Sequence, residues 1–373
     1  MKKRDSGLDL LRILSMVMVT TLHFFNHGGL INVALIPGHY NWYLGQMVYA
    51  LCYVCVNCFV MLSGYFQCTS KFKLRRIVSI WVQVMIYSVG LYIVNALYLG
   101  SFSVTDLIIS GMVVTMKRYW FVTAYLLMYA VSPFLNTAIA AIGKRKHFAC
   151  LCVLLSIFCV AHNAVYISDF GNVLGGSSFL WFCVLYMVAS YIRLYVPVNP
   201  KHRGRYLTTY LLLSLCICGE RFLATWLTPY VFGSVKLDSL FFSYNSICTA
   251  GASIGLFLLM RTVEIKSRPL TKIIGFLAPL CFGVYLLHDH HSIRPLLWGW
   301  MKPFATATAP YMLLHWIMCV GVIFLAGIGV EWLRKQLFRL LRIDKLVDFL
   351  SDKVENLCQG WLDKLPTKES PKG

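Results

Sequence analysis

Charged residues are scarce in this chain, and acidic residues are scarcest. Asp and Glu number 15 and Lys and Arg 34, so charged residues fill only 13% of the 373 positions. A soluble domain carries roughly 25% charged residues. Hydrophobic residues reach 58%, and the mean hydropathy is +0.68. This composition excludes a large soluble domain and indicates a polytopic membrane protein.

The sequence also lacks patterns that other classes of protein require. It has no internal repeat, and it shows neither the inverted repeats nor the discontinuous helices that many transporters have. The first apolar run has no clear small-residue cleavage site, so we expect no cleavable signal peptide. Cys52, Cys55 and Cys58 fall within one apolar segment without a fourth ligand at zinc-like spacing. We therefore predict no metal site and assign these thiols to packing.

Long apolar segments dominate the chain, and each is long enough to cross a bilayer. They lie near residues 8–28, 42–66, 77–99, 119–141, 148–167, 176–194, 207–227, 239–260, 273–289 and 311–332. We predict an all-α fold, a polytopic transmembrane helical bundle of about ten spans over residues 1–332. Residues 101–116 are expected to form a short interfacial helix. Residues 333–373 are predicted to be a cytoplasmic tail with a membrane-lying amphipathic helix and a disordered end, with a simple juxtamembrane extension as the alternative.

The positive charges indicate how the bundle is oriented. With the N-terminus inside, 27 of the 34 Lys and Arg residues fall on the inner side and five on the outer side, while Arg12 and Arg221 lie within spans. So uneven a distribution of Lys and Arg between the two sides follows the positive-inside rule. Both termini are therefore predicted to be cytoplasmic. The net charge of +19 comes from basic residues that set the topology and contact anionic lipid, so no nucleic-acid partner is expected.

The first apolar segment carries ionisable residues that hydrocarbon disfavours, namely Asp9, Arg12 and His23. Such residues usually face a protein interior or a water-filled cavity. Arg12 and His23 are close to three helical turns apart, so both point to one face about 16 Å apart along the axis. Asp9 lies where it can pair with Arg12. This pattern favours an anion-binding cation and a general base, whereas an interfacial pair and a snorkelling histidine are the alternative.

A basic cluster follows the second span. Its members are Lys71, Lys73, Arg75 and Arg76. Such a cluster can hold the phosphate groups of a cytosolic cofactor. Topology alone also places basic residues on this side.

Two later spans carry further polar residues. Glu220 and Arg221 are adjacent, so they point about 100° apart and each needs another partner in the bundle. A structural polar network is favoured over catalysis for this pair. His288 lies in FGVYLLHDHH, at the outer end of the ninth span. We expect it to form one wall of a polar cavity, with a metal site as the alternative.

Four stretches, taken in order, resemble one family. They are GLDLLRILSMVMVTTLHF, FVMLSGYF, YWFVTAYLLMYAVSP and FGVYLLH, which begin at Gly7, Phe59, Tyr119 and Phe282. Together they resemble the acyltransferase family 3 membrane proteins, from Gly7 to about Trp332. The resemblance implies about ten spans and transfer of an acyl group, usually acetyl, from cytosolic acyl-CoA to a hydroxyl of a cell-envelope glycan.

The resemblance also implies roles for residues. Arg12 and His23 correspond to the essential pair of the first helix, with Asp9 beside Arg12. The family places two arginines three residues apart in the inner loop after the second span. Here Lys73 stands where the first would be, ahead of Arg76, and Arg75 lies between them. By the resemblance Lys73 and Arg76 would anchor the CoA, and we expect Arg75 to belong to the same binding site.

We expect the substrate cavity to be lined by Ser63, Trp120, Glu220, Arg221 and His288. Many relatives carry an additional extracytoplasmic esterase-like domain, which this sequence does not show. We therefore expect the protein to acylate its acceptor directly or to pass the acyl group to a separate partner.

These observations predict an integral-membrane O-acetyltransferase of the bacterial cytoplasmic membrane. Acyl-CoA would be a donor substrate, and no permanently bound cofactor is expected. His23 would either deprotonate the acceptor hydroxyl or accept the acyl group itself. The alternatives are a transporter or flippase of a lipid-linked sugar, and a scaffold or sensor, which would leave Arg12 and His23 without a purpose.

Overall fold

The computed structural model describes residues 5–31, 35–161, 174–227 and 241–362, and among these it contains helices and turns but no strand. The helices are α1 (Ser6–Asn26), α2 (Tyr40–Cys52), α3 (Cys55–Gln67), α4 (Leu74–Leu99), α5 (Val104–Gly111), α6 (Trp120–Leu155), α7 (Phe179–Tyr195), α8 (Arg203–Leu227), α9 (Ile247–Arg261), α10 (Arg268–Leu277), α11 (Cys281–His288), α12 (Ile293–Met301), α13 (Met312–Leu340) and α14 (Ile343–Leu362). The predicted all-α fold is confirmed. The predicted disordered end, residues 366–373, lies outside the described residues.

Helix α1 is the centre of the bundle. Its N-cap is Asp5, whose carboxylate accepts a hydrogen bond from the backbone N–H of Leu8 at 3.1 Å and so satisfies a donor that the helix leaves free. A Cβ on Gly7 would lie 2.2 Å from the carbonyl oxygen of Met260, so only glycine allows α1 to approach the end of α9. Helix α1 packs against α2, α3, α9, α10, α11 and α13, so Asp9 is buried and Arg12 and His23 are half-buried in the protein.

The described residues contain seven helical segments that are long and apolar enough to span a membrane. Helices α7 and α9 are apolar but shorter. This confirms a polytopic helical bundle, while the total of ten spans and the position of both termini stay predictions. Helix α5 lies within residues 101–116, where a short helix was predicted.

Helix α6 is two helical arms joined at Gly143, whose backbone is not helical (φ 67°, ψ 178°). Tyr186 donates a hydrogen bond to Asn136 before the glycine. His147, after it, contacts the carbonyl oxygen of Met187 at 3.1 Å. Both arms therefore pack against the same stretch of α7.

Within the described residues, the spans predicted over 42–66 and 273–289 each contain a break, contrary to the prediction of continuous spans. Tyr53 and Val54 interrupt the segment predicted over residues 42–66 and separate α2 from α3. A 3₁₀ turn, Ala278–Leu280, separates α10 from α11. Irregular backbone at membrane depth is tolerated where it is buried in protein or lines a cavity. Here Pro279 and the start of α3 both border cavities, so the breaks belong to the site described below.

The tail packs back onto the bundle. Helix α13 continues beyond residue 332 to Leu340, and α14 follows it. Val347 of α14 is buried against Val78 and Val82 of α4. Arg75 of α4 forms ion pairs with Asp344 and Asp348 of α14. Helix α14 is therefore attached to the first turn of α4.

Candidate active site

A large cavity opens beside the first turn of α4 and the N-terminal half of α1. Its volume is about 500 Å³, within the range of small-molecule sites. Its lining comprises Arg12, Phe59, Leu62, Ser63, Lys73, Arg75, Arg76, Ser79, Ile80, Gln83, Phe121, Val122, Tyr125, Ala278, Pro279 and Phe282. We call it the basic cavity. It brings together Arg12 and all three residues that the sequence predicts to bind the donor.

The positive charge in the basic cavity is oriented by neighbouring side chains. Arg12 donates a hydrogen bond to Asp9 at 3.0 Å, and Asp9 is buried beneath it. Arg76 donates to the hydroxyl of Tyr125 at 3.0 Å. That hydroxyl also accepts from Gln67 at 3.1 Å. The guanidinium groups are thus held in place before any anion binds, which lowers the entropic cost of binding one.

A second, much smaller cavity surrounds His23. Its volume is about 60 Å³. Its lining comprises Met16, Val19, Leu22, His23, Cys55, Val56, Phe59, Trp120, Phe121, Tyr244, Phe282 and Tyr285. We call it the histidine cavity. Except for His23 the residues around it are apolar or aromatic, so an imidazole there acts in a dry environment.

Three phenylalanines, Phe59, Phe121 and Phe282, line both cavities. They come from α3, α6 and α11 and form a neck between the two spaces. Arg12 and His23, on opposite sides of this neck, are separated by about 16 Å along α1. A long, flexible molecule with an anionic end could therefore anchor in the basic cavity and place its other end beside His23.

Hydrogen bonding fixes the tautomer of His23. The Nδ1 atom of His288 lies 2.6 Å from the carbonyl oxygen of Val284, and a carbonyl only accepts, so this nitrogen carries the proton. The Nε2 atom of neutral His288 then accepts from Nδ1 of His23, at 2.9 Å. The Nε2 atom of His23 is left with a lone pair, the form that a base or nucleophile needs.

A carboxylate completes the surroundings of His23. The Oδ1 atom of Asp289 lies 3.8 Å from Nδ1 of His23, 3.5 Å from Nε2 of His27 and 3.3 Å from Arg294. Asp289 is buried, so its carboxylate would stabilise positive charge on His23 if that imidazole took up a proton.

His23, His27 and Asp289 also satisfy the spacing of a metal site, with ligand atoms within 4.8 Å of one another. The sequence predicts no metal. The hydrogen bond of His23 Nδ1 to His288 and the ion pair of Asp289 with Arg294 favour an orienting network instead. The hydrogen bond engages Nδ1 of His23 and the ion pair engages Oδ1 of Asp289, and both atoms are candidate metal ligands.

The remaining histidines of the FGVYLLHDHH stretch face elsewhere. His290 bonds to the carbonyl oxygen of Ser88 at 3.0 Å, and His291 lies 3.0 Å from the hydroxyl of Ser292. Burial, followed by the charge of Arg118, lowers the pKa of His291 to about 4. His291 is therefore neutral at pH 7 and adds no charge near Asp289.

The five predicted substrate-cavity residues are divided among four places. Ser63 lines the basic cavity, and Trp120 lines the histidine cavity. His288 is fully buried behind His23. Glu220 and Arg221 line neither cavity, and the guanidinium of Arg221 lies 5.6 Å from the ring of Phe242. Only the first two can touch a ligand in these spaces.

Sequence reasoning missed several residues of the site. Asp289 was visible only as part of the FGVYLLHDHH stretch, and nothing tied it to α1. His27 follows His23 by four residues and so shares its helix face, a signal that could have found it. The neck phenylalanines come from three distant segments, so no local pattern connects them.

The structure is that of a multi-pass membrane protein in which a small cavity around an imidazole adjoins a larger basic cavity. The model of the family described as acyltransferase domain, acyltransferase family 3, matches residues 5–333. The chain belongs to this family and is an acyltransferase. Comparison with curated protein sequences and with solved structures gave no significant match.

Proposed function

We propose that this acyltransferase moves an acetyl group from cytosolic acetyl-CoA to a hydroxyl of a cell-envelope glycan, in the cytoplasmic membrane of a bacterium. The observation that carries this proposal is the pairing of the two cavities through one neck. Arg12 stands in the larger space and His23 in the smaller.

The basic cavity suits the donor. The nucleotide of acyl-CoA carries phosphates, which bind guanidinium and ammonium groups strongly. Lys73 is the N-cap residue of α4, and Arg75 and Arg76 lie in its first turn, so the positive end of the helix dipole adds to their charge. The excess of basic residues near this end of the bundle supports a location on the cytosolic side, where acyl-CoA is made.

The small cavity suits a short acyl group. The pantetheine arm would pass the neck and bring the thioester to His23. About 60 Å³ leaves little space beyond the reacting atoms, and a packed aromatic lining resists expansion. This supports acetyl over longer chains.

His23 could act by either of two mechanisms, as a general base or as a nucleophile. As a base, its Nε2 takes the proton of the acceptor hydroxyl, the oxygen attacks the thioester carbonyl, and the C–S bond breaks. The CoA thiolate then leaves and receives that proton. As a nucleophile, Nε2 attacks the thioester carbonyl, the C–S bond breaks, and CoA leaves as the thiolate while His23 becomes an acyl-imidazolium. The acceptor hydroxyl then attacks the acyl carbon, the C–N bond breaks to restore the neutral imidazole, and the proton of the hydroxyl passes to the CoA thiolate.

Acyl transfer by the full chain in lipid nanodiscs tests the proposal. Radiolabelled acetyl-CoA is incubated with envelope saccharides of the expressing cells, and acetyl esters are counted. His23→Ala is expected to lower the rate about 10²- to 10⁴-fold, while CoA still binds. Arg12→Ala is expected to weaken donor binding about tenfold or more.

His202→Ala and Arg145→Ala serve as matched controls, because neither residue lines either cavity. Full activity of folded His23→Ala and Arg12→Ala protein would refute the mechanism. Absence of acetyl transfer by the wild-type protein, with no binding of CoA, would refute the proposed donor.

A further inference from the structure

One polar side chain of the basic cavity is neither a cation nor a hydroxyl. Gln83 lies on α4, two helical turns after Arg76 and about 10 Å further along the helix axis, and both residues line the cavity. The basic residues of the cavity can only donate hydrogen bonds, whereas the oxygen of an amide can only accept them. The direction of the Gln83 amide therefore decides what this part of the cavity can bind.

Glu331, on α13, fixes the direction of that amide. The amide nitrogen of Gln83 lies 3.3 Å from Oε1 and 3.4 Å from Oε2 of Glu331. Oxygens that act as acceptors require the NH2 group of the amide to face them, so the amide oxygen faces away from Glu331. Gln83 lines the basic cavity and Glu331 does not. The amide oxygen is therefore the end of the Gln83 side chain that faces the cavity.

The surroundings of Glu331 leave its carboxylate no other orientation. Arg334 donates to Oε1 at 2.6 Å and to Oε2 at 2.8 Å, and a guanidinium only donates, so both oxygens are acceptors. Tyr87 also donates to Oε2, at 2.8 Å. Glu331 is 1% exposed, and a Cβ on Gly283 of α11 would lie 2.5 Å from its side chain. The neighbouring helix thus closes over Glu331 and holds it against Gln83.

The amide oxygen of Gln83 has an unused capacity to accept. Gln83 is half-buried, and no donor in the part of the chain that the structure describes forms a hydrogen bond to this oxygen. The pantetheine arm of acyl-CoA carries two secondary amides, and each N–H loses water when the arm enters a cavity. A buried donor without a partner is costly. An acceptor of fixed direction beside the arm removes that cost for one of the two amides.

We propose that Gln83, held in position by Glu331, accepts a hydrogen bond from an amide N–H of the pantetheine arm. Lys73 and Arg76 then bind the phosphates of the donor, and Gln83 binds the arm further along α4, before the neck. This inference rests on the proposed function, because it names the part of the donor that Gln83 recognises. Gln83 is a donor-binding residue in this scheme, and Glu331 is a positioning residue.

Two ligands separate the arm from the phosphates. CoA has both, whereas adenosine 3′,5′-bisphosphate has phosphates and no arm. Calorimetry with the full chain in lipid nanodiscs measures Kd for each. Gln83→Met keeps the length of the side chain and removes the acceptor. We expect it to raise the Kd for CoA about tenfold and to leave the Kd for the bisphosphate within about twofold. Arg76→Ala should weaken the binding of both ligands.

Gln336→Met is the matched control for Gln83→Met. Gln336 lies on α13, accepts a hydrogen bond from Arg339 at 3.0 Å and does not line the basic cavity. Both ligands should bind to Gln336→Met as they bind to the wild type.

A double-variant cycle tests the positioning role of Glu331. The amide in Glu331→Gln can donate as well as accept, so it no longer dictates the direction of Gln83. We expect Glu331→Gln to raise the Kd for CoA about threefold in the wild-type background and to have no further effect in the Gln83→Met background. Equal losses of affinity in the two backgrounds would mean that Glu331 acts on the fold and not through Gln83. The comparison of wild type with Gln83→Met does not depend on the folding of Glu331→Gln.

The outcomes distinguish this inference from the proposed function. Equal Kd values for CoA in wild type and Gln83→Met would refute the role of Gln83 and retain CoA as the donor. Equal weakening of CoA and of the bisphosphate by Gln83→Met would also refute that role, because the effect would not concern the arm. Failure of the wild type to bind either ligand would refute the proposed donor, and the role of Gln83 with it.

Discussion

Nδ1 of His23 lies 2.9 Å from Nε2 of His288, and the two residues are 265 positions apart in the chain. The bond is directed by a third group, because Val284 accepts a hydrogen bond from the other nitrogen of His288. These two hydrogen bonds leave Nε2 of His23, the nitrogen that we propose reacts, without a proton. The imidazole of His23 on α1 is thus oriented by a residue of α11 and not by a residue of its own helix.

Removal of the hydrogen bond between His23 and His288 should lower turnover without weakening donor binding. His288→Phe keeps a buried ring but cannot accept from His23, so the proton of His23 can move to the wrong nitrogen. We expect kcat to fall about 10- to 100-fold, as is usual for loss of an orienting partner, with the acetyl-CoA KM unchanged. Steady-state kinetics in nanodiscs measures both. His290→Phe is the control, since His290 bonds to Ser88. Equal losses in the two variants would indicate a packing effect.

Arg76 should contribute to donor affinity. It lines the basic cavity and is oriented by Tyr125. We expect Arg76→Ala to raise the acetyl-CoA KM about tenfold or more, because a charged hydrogen bond is worth about 1.5–3 kcal/mol, and kcat to change little. Arg145→Ala, at an exposed position of α6, should behave as wild type. A fall in kcat at constant KM would contradict a binding role.

The neck should select the length of the acyl chain. Phe121 lines both cavities, so Phe121→Ala enlarges the passage and the space beside His23. We expect the ratio of kcat/KM for butyryl-CoA to that for acetyl-CoA to rise about tenfold or more, since each methylene is worth about 1–3 kcal/mol in an apolar pocket. Phe134→Ala is the control, because Phe134 is 76% exposed. A ratio that does not change would show that the neck does not set chain length.

Helix α14 should compete with the donor for Arg75. Asp344 and Asp348 both pair with this guanidinium, which lines the basic cavity. The double variant Asp344→Asn, Asp348→Asn frees Arg75 for an anion. We expect the acetyl-CoA KM to fall about two- to threefold, a modest change because the pairs are exposed, and the difference to shrink at high salt. Asp352→Asn, on the same helix, should have no effect. A higher KM in the double variant would mean that α14 supports donor binding.

Much of the architecture depends on local features of the sequence and was therefore predictable from it. Apolar length predicts membrane helices because hydrocarbon forces every backbone group into a helical hydrogen bond. The Asp9–Arg12 pair follows from helical spacing, and the structure contains it. The family resemblance predicted separate roles for Arg12 and for Lys73 and Arg76, and only the structure showed that all three line one cavity. The breaks at Tyr53 and at Pro279 were missed, because apolar composition continues through them.

By itself the sequence determined the helical class, the membrane environment and the family, and it predicted Arg12 and His23 as site residues. Charge, hydropathy and residue spacing are properties of consecutive residues, so they can be counted along a chain. Only the tertiary structure decided that His288 supports His23, that Asp289 lies between His23 and His27, and that three phenylalanines separate two cavities. Those contacts join helices that are far apart in sequence, and side-chain packing in a crowded core decides which atoms meet.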